Sequence, residues 1–162
     1  MQKNFVSVSI GIATASLAVG YGLESSWTVS GLIMTLGLVW LVSQRFNWPG
    51  LPDIGLVATM GVAAFGMWQG IPAGWMLLAA VGALAAWDLA HFERHLALAP
   101  PRGNEARLRQ EHLRTVAAVA GSGLLLGGAA LSFEIKFGLG WAMGLALLVI
   151  LGLGRIIRAI RE

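Results

Sequence analysis

The chain has 162 residues, 57% of them hydrophobic and 12% charged, with a mean hydropathy of +0.74. That balance is too apolar and too sparsely charged for an ordinary water-soluble domain and places the chain among integral membrane proteins. A formal charge of +3 and a pI near 10.2 do not point to nucleic acid, because the basic residues are spread through loops beside apolar segments, where anionic lipid headgroups are the simpler partner.

Uncharged runs occupy 4–23, 25–44, 54–87, 115–133 and 137–154, and a spanning helix needs roughly 20 apolar residues. The first run predicts a span over 5–22. It also has the outline of a signal peptide, with Lys3 before an apolar 6–17 and the small residues Ala18, Val19 and Gly20 after it, but its apolar stretch is longer than the usual signal core, which favours a span. The second run predicts a span over 27–43.

The run over 54–87 holds 34 residues, which as one helix would reach roughly 51 Å against a hydrocarbon core of roughly 30 Å. Its midpoint reads Gly70-Ile71-Pro72-Ala73-Gly74. Pro72 removes a backbone donor and the glycines permit tight turning, so two spans, 53–70 and 72–90, are expected with a hairpin between them. Asp53, following Pro52, is read as the N-cap of the third span. The last two runs predict spans over 113–132 and 137–157.

The expected architecture is all-α: a polytopic integral membrane protein of six transmembrane helices in three hairpins, forming one domain over 1–162 with both termini cytoplasmic. Ten of the eleven Lys and Arg residues then share one side, with Lys136 alone opposite, as the positive-inside rule requires. Trp27, Trp68, Trp75 and Trp141 fall near the outer interface and Trp48 and Trp87 near the inner one, where indole rings concentrate; Trp40 fits neither belt clearly. The expected residence is a bacterial-type plasma membrane.

Glycine recurs inside the spans. Gly123 with Gly127, Gly140 with Gly144, and Ala79 with Ala83 have the small-xxx-small spacing that lets helix backbones approach closely. No ionisable residue falls at the middle of a span, where the polar residues are hydroxyls such as Thr14, Ser16, Thr35, Thr59 and Ser122. Proton-coupled transport relies on intramembrane ionisable groups, so this pattern argues against a proton pump or antiporter. The absence of cysteine excludes disulfides, thiolate metal sites and thiol catalysis.

All three histidines and half the acids lie between Asp88 and His112. Span four continues without a breaker to Ala99, Pro100-Pro101-Arg102-Gly103 ends it, and Asn104 is placed to cap a helix leading into span five. The result is a helical hairpin projecting into the cytoplasm between spans four and five. At roughly 100° per residue, Asp88, His91 and His95 fall within an arc of about 60°, and a turn centred near Arg102 sets His91 opposite His112 and Leu113 and His95 opposite Arg109, so that the second helix can supply His112 or Glu111 to the same cleft. Asp88, His91, His95, Glu111 and His112 are therefore the metal-ligand candidates, for zinc or another divalent ion. The spacing works against a single site, because Asp88 and His95 lie roughly 10 Å apart along the axis, and His91 is not followed by the Glu of the helical zincin motif. The competing reading is a set of interhelical ion pairs, with Arg114 or His112 the nearest partner for Asp88. At the C-terminus Arg155, Arg158 and Arg161 recur every three residues, placed to contact lipid phosphate.

The expected function is that of a noncatalytic accessory, assembly or scaffold subunit, with membrane lipids, a membrane-protein partner or further copies of itself around it. A small oligomeric channel or transporter for an uncharged or lipidic solute is the alternative from another class. A metal-dependent membrane enzyme using the Asp88 to His112 cluster is the third.

Overall fold

The computed structural model describes residues 3–24, 26–46, 48, 50–98 and 105–132. These contain five helices and no strand: α1 (Lys3–Leu23), α2 (Trp27–Phe46), α3 (Leu51–Trp68), α4 (Ala73–Leu98) and α5 (Glu105–Ser132). All five are long and apolar enough to cross a membrane. They belong to a compact unit over Met1–Leu131, and Ser132–Glu162 forms a second unit. The expected span over 137–157, Lys136, Trp141, the Gly140 and Gly144 pair, Arg155, Arg158 and Arg161 lie outside the described residues, as does the turn at 100–103.

The long apolar run breaks where glycine and proline are placed to break it. At the end of α3, Gln69 is the C-cap and Gly70 takes φ +86°, a left-handed conformation that an L side chain resists. Gly70 N–H then donates to Met67 O at 3.1 Å and Ile71 N–H to Gly66 O at 3.0 Å, the Schellman arrangement that satisfies the last carbonyls of a helix. Ile71, the residue that closes the motif, is buried at 4% exposure. Pro72 follows, and its carbonyl accepts the first turn bond of α4 from Trp75 N–H.

The start of α3 differs from the expected capping. Gly50, with φ +83°, is the N-cap, no side chain caps the helix, and Pro52 occupies its first turn. Proline lacks the N–H that the first turn would leave unpaired and is already in helical φ, so the helix begins before Asp53. That acid lies within the first turn, and its carboxylate is engaged elsewhere.

α1 is the central helix, packing against α2, α3 and most extensively α4. The core has two layers. Near the end that carries the start of α1, Val6, Ile10 and Ala13 meet Trp40, Ala83, Ala86 and Ala90. Toward Gly70, Leu17 and Tyr21 meet Ile33, Ala63, Met76 and Ala79. Small residues on α4 permit this approach: Ala79, Ala83 and Ala86 are fully buried, and a Cβ on Gly82 would stand 3.1 Å from the backbone nitrogen of Ala13. Where lipid supplies no hydrophobic drive, such close backbone contact is what holds helices together. Trp40, at 4% exposure, is a core residue, not an interfacial one.

The midspan hydroxyls are satisfied within their own helices. Thr14, Ser16, Thr35, Thr59 and Ser122 each donate to the carbonyl four residues back. Two other hydroxyls tie helices together: Tyr21 Oη donates to Val62 O on α3 at 2.8 Å, and Ser30 Oγ on α2 donates to Ala18 O on α1 at 2.8 Å. In hydrocarbon an unpaired hydroxyl would be strongly disfavoured, so each bond both satisfies a donor and fixes a helix pair.

α5 lies antiparallel to α4. Leu77 reaches the place a Cβ on Gly127 would occupy, while Asp88 approaches His112 and Glu93 pairs with Arg109. No residue of α5 is buried, and Val119, Leu125 and Leu126 are each at least 67% exposed.

Candidate functional site

The polar side chains gather at the end of the bundle that holds the start of α3, the last turns of α4 and the first turns of α5. One turn of α4 organises them. Residues 88 and 91 share a face by helical spacing, yet they engage different neighbours, Asp88 turning to α5 and His91 to α3.

On the α5 side, His112 Nε2 lies 3.0 Å from Asp88 Oδ2, with side-chain exposures of 24% and 45%. The N–H direction does not meet the carboxylate, so Nε2 is left buried with no aligned hydrogen-bond acceptor despite the short distance. The contact is a close approach of imidazole and carboxylate and not an aligned hydrogen bond, whose strength falls steeply with misalignment. The imidazole is held in place by Phe92, whose ring stacks on it at a centroid distance of 3.9 Å and an interplanar angle of 9°. A turn further along, Arg109 Nη2 lies 3.4 Å from Glu93 Oε2.

On the α3 side, Trp87 Nε1 donates to Asp53 Oδ1 at 2.6 Å, and His91 Nε2 is 4.0 Å from the same oxygen. The Trp87 and His91 rings contact each other at 4.5 Å. Asp53 is thus a member of this polar group, reached only because α3 folds back along α4.

Of the five residues that the sequence marks as metal-ligand candidates, the structure brings Asp88 and His112 together and separates the others. His91 turns to Asp53; the His95 ring stands 6.3 Å from the His91 ring; Glu111 accepts from Arg107 Nε at 2.9 Å on the outer surface of α5. Among the described residues no group of three or more His, Asp or Glu is gathered closely enough to hold a metal ion. Arg114, the other candidate partner for Asp88, is exposed on α5. The group offers pairwise interhelical links, and the side chains of Arg107 and Arg109 remain 78% and 41% exposed beside them.

Sequence reasoning did not find Asp53 and Trp87. The one available signal was that an indole N–H and a carboxylate both fall at the same end of consecutive spans. No protein-family model, no curated protein and no solved structure matches the chain.

Proposed function

We propose that the chain is a noncatalytic multi-pass membrane protein, an accessory, assembly or scaffold subunit, that presents the basic end of α4 and α5 to a partner protein or to anionic lipid headgroups. The observation that carries this reading is that acids are engaged across helices: Asp88 with His112, Glu93 with Arg109, and Asp53 with Trp87 and His91. Acids held in this way position helices, and the exposed Arg107 and Arg114, with the half-buried Arg94, form a positive surface suited to acidic partners.

The topology we infer has six spans and both termini cytoplasmic, in a bacterial-type plasma membrane, with α4 and α5 extending as a helical hairpin on the cytoplasmic side. Its support is the segregation of ten of eleven basic residues to one side of such an arrangement. The native chain has no cysteine, so single cysteines at Ser26 and Ala106 can be labelled from either face of intact membranes. Labelling of both positions from the same face would overturn the topology.

The functional reading is tested by placing photo-crosslinkers at Arg107 and Arg114 in native membranes and by analysing lipid that copurifies. A defined crosslinked protein or enrichment of anionic lipid is expected, reduced when both arginines are replaced by glutamine. A monomer with no copurifying protein and no selected lipid would overturn it.

A further inference from the structure

A lateral cleft lies between α2 and α3, which touch each other much less than α1 touches α4. It encloses a cavity of about 80 Å³ walled by Leu36 and Trp40 of α2, Gly55, Ala58 and Thr59 of α3, and Thr14 of α1. Among the described residues no ionisable side chain lines it. The two threonine hydroxyls donate to Ile10 O and Gly55 O in their own helices, which leaves the wall without a free hydroxyl donor.

Trp40 is different. It is 96% buried by exposure, and its indole Nε1 has no hydrogen-bond partner among the described residues. A buried indole N–H ordinarily finds one. Nε1 is bonded to Cε2, and Cε2 and Cδ2 are the ring atoms that a Cβ on Gly55 would meet at 2.6 Å. Trp40 lines the cavity, but the unpaired donor itself is covered by protein atoms, one bond behind the ring edge that faces Gly55.

We propose that the cleft between α2 and α3 binds an uncharged, membrane-dissolved molecule with a hydrocarbon body and a carbonyl or ether oxygen, and that this oxygen accepts the Trp40 Nε1–H. Entry is from the apolar phase, since the flanking Leu36, Val39, Ile54 and Val57 are all at least 50% exposed. A charged ligand would find no counter-charge in the wall. At roughly 30 Å³ per group of water size, the cavity holds about three such groups, so it takes one end of a molecule and leaves the remainder in the lipid. Trp40 lies six residues before the end of α2, roughly 9 Å along the axis, so the acceptor must be carried within the hydrocarbon layer. Because Nε1 is covered by protein atoms, engaging it requires the indole to change rotamer as the oxygen enters. This site is independent of the charged end of α4 and α5.

The test uses the full chain in phosphatidylcholine nanodiscs with two photoreactive probes, a long-chain ketone and a hydrocarbon of equal length, each carrying a diazirine. The ketone should label the peptides over 33–40 and 51–62 in a saturable way displaced by unlabelled ketone, about fivefold more strongly than the hydrocarbon, the factor that one neutral hydrogen bond supplies. Trp40→Phe should bring ketone labelling down to the hydrocarbon level. Ala58→Leu should remove displaceable labelling by both probes while labelling at the exposed Leu125 and Leu126 on α5 persists as a control for probe delivery and an unchanged thermal unfolding midpoint controls for folding. If Ala58→Leu fails to fold, Trp40→Phe alone decides. Equal labelling by the two probes, or none that unlabelled ketone displaces from these peptides, would overturn the proposal.

Discussion

Trp87 Nε1 donates to Asp53 Oδ1 at 2.6 Å across 34 residues of sequence. That bond joins the first turn of α3 to the later part of α4, at the opposite end of the pair from the Schellman turn at Gly70. The two helices are thereby fixed at both ends, by backbone geometry at one and by a charge-assisted hydrogen bond at the other. His91 adds its ring against Trp87 and its nitrogen 4.0 Å from the same carboxylate.

Trp87→Phe keeps the aromatic surface against His91 and removes the donor. Because Asp53 is half exposed and can recruit water, the expected loss is about 1 kcal/mol of unfolding free energy, less than a buried charged hydrogen bond would contribute. Asp53→Asn keeps an acceptor and should lose less. Denaturant titration in micelles measures both, and no loss in either variant would show that packing, not the hydrogen bond, joins the helices here.

The Asp88 and His112 contact has a different weight. Its carboxylate is 45% exposed and the N–H is misaligned, so a double-mutant cycle with Asp88→Asn and His112→Gln should return a coupling of about 0.2 to 1 kcal/mol. Added salt should shrink it. Elemental analysis of untagged protein belongs beside this measurement, because a stoichiometric divalent ion lost in His112→Gln would turn the pair into a metal site.

Helix extents were legible because charge punctuates this chain so sparsely. The break inside 54–87 follows from the single place where glycine and proline coincide, whereas spacing about Arg102 sets His112 opposite His91 and the structure brings it to Asp88 instead. The partners of α4 were not legible. An arc of the helical wheel places Asp88 and His91 on one face, but it contains no information on which of two neighbouring helices each side chain meets. Trp40 shows the same limit, since an indole within an apolar run looks alike whether it faces lipid or core. Its burial depends on Gly55, a residue on another helix that leaves room for the ring. Asp53 looked like a cap because it follows Pro52, and only the register of α3 against α4 reveals its partner.

Gly82 and Gly61 separate close packing from helix propensity. A Cβ at Gly82 would meet the Ala13 backbone at 3.1 Å, whereas one at Gly61 meets nothing within 4 Å. Gly82→Ala should therefore force α1 and α4 apart and lower stability by about 1 to 3 kcal/mol. Gly61→Ala should be neutral or raise stability by up to about 1 kcal/mol, the helical advantage of alanine. Matching effects at the two positions would show that the α1 and α4 contact has slack at Ala13.

The Tyr21 hydroxyl offers a measure of interhelical hydrogen bonding in the core. Tyr21 is 1% exposed, and its hydroxyl donates to Val62 O, a carbonyl in the interior of α3. Tyr21→Phe leaves the ring in place and should destabilise by about 0.6 kcal/mol, with roughly 1.7 as an upper value for such bonds within membranes. Folding equilibria measured in bicelles test this, and no change would mean that the hydroxyl finds an equivalent acceptor in the unfolded, membrane-embedded state.

Gly70 should resist replacement despite the open space around it. Nothing lies within 4 Å of a Cβ built on Gly70, so sterics with neighbours predict tolerance, while its φ of +86° predicts strain. Left-handed backbone costs an L residue about 1 to 2 kcal/mol, and the two Schellman bonds to Met67 O and Gly66 O depend on that conformation. Gly70→Ala should therefore lose about 1 to 2 kcal/mol, whereas Gly74→Ala, also in open space but with ordinary φ, should not. Gly70→Asn is the discriminating variant: asparagine tolerates the left-handed region better than alanine, so it should recover part of the loss. If Asn and Ala behave alike, conformational strain at φ is not what makes the turn selective.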